Sequence, residues 1–151
     1  MRKSLLAALI VTLVACGGDR ATGPQSVAGS YTLQTVNGTS TPAAVDQSST
    51  QRLDVTAGTI VLTADNKWSG SIGLRIIDLT SGQVQDENSA VPFAGGTYTL
   101  SGSSLTLNDP TEGLVFTGTV ANGTMTVSVD LGFSSPLTLV YTRKRLRGRV
   151  P

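Results

Sequence analysis

The chain has no histidine. That absence removes the commonest general base and the commonest metal ligand near neutral pH. Serine–histidine–aspartate and cysteine–histidine triads are excluded outright. Cysteine occurs once, at Cys16, so no disulfide framework and no zinc site of cysteine and histidine can form within the chain. Charge is sparse, at 14% of residues, and aromatics reach only 5%. The apolar run from Leu5 to Ala15, broken by Thr12, is too short to span a bilayer as a helix, which takes about 20 residues. Beyond it, no segment repeats apolar residues at helical spacing over three turns, so no substantial helix is expected.

Carboxylates remain as candidate chemistry. Asp86 and Glu87 are the one adjacent pair. On a strand, neighbours point to opposite faces and do not converge. In a loop, the pair lacks the Asp-x-Asp-x-Asp-Gly spacing of a calcium site. They read as solvated surface charge. No catalytic residue, metal ligand or cofactor is assigned, and the chain is expected not to be an enzyme.

The N-terminus carries the clearest signal. Arg2 and Lys3 precede the short apolar run, and small residues close it, which is the pattern of a secretory signal. Leu13-Val14-Ala15-Cys16 then resembles the lipobox of bacterial lipoproteins at all four positions. The resemblance implies diacylglycerol on the Cys16 sulfur, cleavage between Ala15 and Cys16, and acylation of the new amino group. Membrane lipid is thus the expected partner. One acyl chain binds membranes marginally, whereas two or more hold a protein there. The residue after the cysteine is Gly17 rather than aspartate. In a cell with two membranes, the resemblance therefore implies the outer one.

The expected organisation is a signal peptide over 1–15, a lipidated cysteine and flexible tether over 16–26, one domain over 27–145 and a basic tail over 146–151. Charge is divided along the chain. Residues 16–142 carry four cations against ten acids, whereas residues 143–151 carry five cations and no acid. The tail reads most simply as a solvated end, with contact to anionic headgroups or a protein partner as the sharper reading. Nucleic acid is not an expected partner, because the domain body is acidic.

Within the domain, short alternating runs are separated by turn signals. Strands are expected over 29–36, 52–63, 67–79, 96–100, 104–107, 114–120, 125–129 and 137–141. Gly58 is expected to mark a bulge or bend. A polar loop with Pro42, carrying at most one helical turn, is expected after the first strand, and a polar loop or weak strand over 81–88. Asn37-Gly38 and Asn122-Gly123 are strong hairpin turns. About eight strands in sequence, joined by tight turns, predict an all-β antiparallel meander closing into an up-and-down barrel. An immunoglobulin-like sandwich would need longer crossovers than these turns allow.

Val27-Ala-Gly-Ser-Tyr-Thr-Leu33, Gly58-Thr-Ile-Val-Leu-Thr-Ala-Asp65, Gly96-Thr-Tyr-Thr-Leu100 and Leu139-Val-Tyr-Thr-Arg143 together resemble the lipocalin-like domains of small bacterial lipoproteins. That resemblance implies a barrel with an interior pocket and transfers no catalytic residue. Tyr31, Trp68, Tyr98, Phe116 and Tyr141 are the candidate pocket lining. They either surround a small apolar ligand or fill the core, since an eight-stranded barrel can do both. Gly70 and Gly118, inward beside Trp68 and Phe116, either leave room for a cavity or relieve curvature.

Overall fold

Side chains alternate between buried and exposed along almost every segment, and a period of two is the period of a strand. The computed structural model describes residues 26–132 and 135–144. Ten strands form: β1 (Gly29–Val36), β2 (Thr39–Ser40), β3 (Ala43–Gln47), β4 (Gln51–Leu62), β5 (Lys67–Asp78), β6 (Val84–Ser101), β7 (Ser104–Asp109), β8 (Leu114–Ala121), β9 (Thr124–Val129) and β10 (Leu137–Arg143). Cys16, the tether up to Gln25 and the tail from Arg145 lie outside the described residues.

Local chemistry sets the turns. Asn37 and Gly38 have φ of 50° and 81°, and Asn122 and Gly123 have φ of 52° and 78°. Two positive φ values in succession are what a type I′ hairpin needs, and asparagine and glycine tolerate them best. Strand order is β2-β1-β10-β9-β8-β7-β6-β5-β4-β3, with β1 also paired to β4. That last pairing, from Gly29↔Leu62 to Thr32↔Thr59, closes β1 and β4–β10 into an eight-stranded antiparallel up-and-down barrel. The predicted meander and its closure are therefore observed.

Three details differ from expectation. The loop after β1 holds two short strands rather than a helical turn. β1 covers only the last four residues of β4, which leaves the backbone of Arg52–Val55 without a partner on that side. β3 supplies one, with Ala43 paired to Val55 and buried beneath it. Over 81–88, where a polar loop or weak strand is expected, the turn residues 81–83 lead at Val84 into β6, an 18-residue strand. It has no alternating signal because Val84–Asn88 is exposed. The bulge in β4 falls between Val55 and Ala57, not at Gly58. Gly58 stays in register with Ile72, and a Cβ there would sit 3.0 Å from Leu33 Cδ2. Glycine at that point leaves room for the Leu33 side chain of the neighbouring strand β1.

The barrel has two unlike ends. At the entry end lie the start of β1, the end of β10 and the β4–β5, β6–β7 and β8–β9 turns. At the far end lie the other hairpin turns. β3, with Gln51–Val55 of β4, Leu74–Asp78 of β5 and Val84–Asn88 of β6, continues past the far end as a four-stranded flap. The barrel core gathers inward side chains from every barrel strand, among them Leu33, Ile60, Leu105, Leu107, Met125, Val127 and Leu139. All the described core residues lie between Tyr31 and Tyr141, so the barrel is complete within the described chain.

Candidate functional site

The five candidate aromatics all point inward and are at most 6% exposed. Trp68 on β5 and Phe116 on β8 meet edge to face, with ring centroids 5.2 Å apart, the geometry favoured by ring quadrupoles. The polar handles are mostly spent on backbone. Trp68 Nε1 donates to the Asn108 carbonyl at 3.2 Å, and Tyr98 Oη donates to the Thr63 carbonyl at 2.8 Å. Tyr31 Oη donates to the Val27 carbonyl at 2.7 Å. Burial pushes the Tyr31 phenol above its usual range, and the nearby Arg143 charge offsets this only in part. Tyr141 differs. Among the described residues its buried hydroxyl has no hydrogen-bond partner, and burial alone drives its pKa upward.

Of the five, Tyr31 is the one that borders a described cavity. At the entry end Val27, Tyr31, Leu100, Val120, Ala121 and Arg143 bound a cleft of about 220 Å³, with Ser103 and Asn122 at its rim. Small-molecule pockets usually run from about 300 Å³ upward, so this one suits a small group. Arg143 positions one wall by donating to the carbonyls of Ser26, at 2.9 Å, and Ala28. The backbone N–H of Lys144 donates to the Ser30 carbonyl at 2.9 Å. The two ends of the described chain are thus tied together beside the cleft. The sequence carried no sign of this cleft, because the β6–β7 and β8–β9 turns and both ends of the described chain build it. Trp68, Tyr98, Phe116 and Tyr141 instead pack with one another and with aliphatic side chains in the core.

Gly118 clarifies the question of space. A Cβ at this inward position would lie 1.9 Å from the Thr126 carbonyl oxygen. The room left by its missing side chain is filled by the neighbouring strand's backbone, which is close approach rather than a cavity. Gly70 is buried on β5.

Charged groups cluster elsewhere. Asp54, only 2% exposed, accepts from Arg52 Nε at 2.8 Å and Nη2 at 3.1 Å, and from Arg75 Nη2 at 2.9 Å. Burial opposes its ionisation, but the hydrogen bonds and charges of the two arginines outweigh that and hold its pKa below the usual range. Asp109 is equally buried. It accepts from the backbone N–H groups of Gly95, Thr111 and Glu112 and fixes the β7–β8 turn against β6. Each of these acids has a structural task. Asp86 and Glu87 lie on the exposed start of β6. Among the described residues, no group of three or more histidine, cysteine, aspartate or glutamate side chains is placed to hold a metal ion. No helix among the described residues is long and apolar enough to cross a membrane.

No family model, no curated protein and no solved structure matches this chain.

Proposed function

We propose that this chain is a non-catalytic lipoprotein of the bacterial cell envelope. Acylated Cys16 anchors it in the membrane, the outer one where the cell has two, and it acts as a barrel module with an interior filled by its own side chains. The observation that supports the filled interior best is the state of the five candidate aromatics. They pack into the core, and three of the four that carry a polar group spend it on a backbone carbonyl rather than offering it to a ligand. The lipobox supports the anchor, and the absence of histidine supports a module without catalysis.

Metabolic labelling with palmitate tests the anchor. Label on the wild type and none on Cys16→Ala is the expected result, and equal labelling of both would refute it. Native mass spectrometry tests the interior. A bare protein mass, unchanged after incubation with a lipid extract, is expected. The cleft beside Tyr31 supports a second reading, in which the barrel carries a small apolar ligand. A discrete adduct that leaves on denaturation would replace the first reading with this one.

A further inference from the structure

The charges of this barrel are sorted by end. Nine acids fall among the described residues, and eight of them lie at the far end or on the flap: Asp46, Asp54, Asp78, Asp86, Glu87, Asp109, Glu112 and Asp130. Only Arg52 and Arg75 oppose them there, leaving that end at about −6. At the entry end, Lys67 is paired with Asp65 at 3.3 Å, while Arg143 and Lys144 have no acid against them in any described ion pair. Three more cations, Arg145, Arg147 and Arg149, follow Lys144 directly in the chain. Up to five positive charges are therefore attached to one end of the barrel and a net negative charge to the other.

The chain also enters at the positive end. Ser26, the first described residue, accepts a hydrogen bond from Arg143, so the segment that leads back to Cys16 starts beside the basic cluster. We infer that the entry end is a docking face for an anionic phospholipid surface, with the acidic flap directed away from it. An acidic partner surface is what five cations in close succession recognise. A bilayer is the occupant that the point of chain entry favours. Both an acyl anchor at Cys16 and the basic run would draw the same end to the same plane. The orientation in the cell rests on the lipoprotein reading, whereas the affinity of the entry end for anionic lipid does not.

The test uses residues 17–151, which keep the complete barrel and the tail but cannot be acylated. Vesicles of phosphatidylcholine with about 30 mol% phosphatidylglycerol are compared with vesicles of phosphatidylcholine alone. Co-sedimentation with the anionic vesicles only is expected, weakening as salt rises from about 0.05 to 0.5 M. Each basic residue near an anionic surface contributes about fivefold to partitioning, so Arg145→Gln/Arg147→Gln/Arg149→Gln should lower it by roughly 100-fold. Asp86→Asn/Glu87→Gln, at the other end, should not weaken it.

Orientation is read with an environment-sensitive dye on Ser103→Cys or Thr80→Cys. The first should shift to the blue on anionic vesicles and the second should not. Equal binding to both vesicle types, no binding to either, or a blue shift at Thr80→Cys would overturn the inference. So would salt-sensitive, tail-dependent self-association without vesicles, which would make the acidic flap of a second copy the partner. If palmitate labelling of Cys16 failed while this unacylated chain still bound, the anchor alone would be lost.

Discussion

Gly118→Ala tests the strand geometry most directly. The added Cβ would lie 1.9 Å from the Thr126 carbonyl oxygen, 2.8 Å from its carbon and 2.8 Å from Val127 Cα. All three are backbone atoms of β9, so no rotamer change can relieve the clash. Reaching ordinary contact requires β8 and β9 to separate by more than about 1 Å, against a ladder spacing near 4.8 Å. That strains the pairs around Gly118↔Val127. Overpacking costs about 1–3 kcal/mol and a weakened ladder bond adds about 1. Alanine returns about 0.4–1 kcal/mol by restricting the unfolded chain. The net loss is about 2 kcal/mol.

Gly102→Ala is the matched control. Gly102 has φ of 61° with nothing within 4 Å of a Cβ, so its cost is conformational only, about 1–2 kcal/mol less the same gain from the unfolded chain, or about 0.8 kcal/mol net. Trp68, the chain's one tryptophan, is 3% exposed and reports unfolding in urea by its fluorescence. With a urea slope near 2 kcal/mol/M, Gly118→Ala should lower the midpoint by about 1 M and Gly102→Ala by about 0.4 M. A midpoint for Gly118→Ala within about 0.25 M of wild type would refute the close approach of β8 and β9.

Two further outcomes follow from buried polar groups. Tyr141→Phe removes a hydroxyl that is buried without a partner among the described residues. It should therefore raise stability by about 1 kcal/mol in the same urea assay, and a loss of that size would mean the hydroxyl has a bound partner in solution. Asp54→Asn leaves two arginines without their carboxylate. It should cost about 2 kcal/mol, less than a fully buried pair because Arg52 and Arg75 are 35% and 25% exposed. The folded pKa of Asp54 is depressed, so its contribution is present above the unfolded value near 3.9 and is lost as pH falls through the folded one. Urea midpoints should hold from about pH 7 to 5 and fall below about pH 4, and Asp54→Asn should flatten that fall. An unchanged acid limb in Asp54→Asn would show that other carboxylates carry it.

The barrel was legible because each of its strands has one wet face. Met125, Val127 and Val129 alternate with Thr124, Thr126 and Ser128, and the structure buries the first set. By the same local logic Asn122-Gly123 marked the β8–β9 hairpin of the barrel, and Asn37-Gly38 marked the turn from β1 into β2. The flap was hidden because that signal fails beyond the closed barrel. Val84–Asn88 has no buried face to alternate against, and the part of the chain with Pro42 and its flanking serines and threonines carries little hydrophobic pattern. What places β3 is the unmatched edge of β4, a long-range fact that no window of sequence contains.

The aromatic positions were legible too, but their task was not. Periodicity tells which side of a strand a residue takes. It does not tell how far the opposite wall stands, and that distance separates a pocket from a core. Gly118 shows the difficulty in one residue. Read along β8, it is an inward gap beside Phe116 that a ligand could fill. Placed against β9, the same gap holds the Thr126 carbonyl. Inward glycines in a small barrel therefore mark where strands crowd together as readily as where they stand apart. The sorting of charge by end has the same origin. Asp46, Asp86, Glu112 and Asp130 are scattered along the chain, yet an up-and-down meander returns every second turn to the same end. Acids spaced tens of residues apart thus gather at the far end, while Arg143 and Lys144 lie where the described chain both enters and leaves.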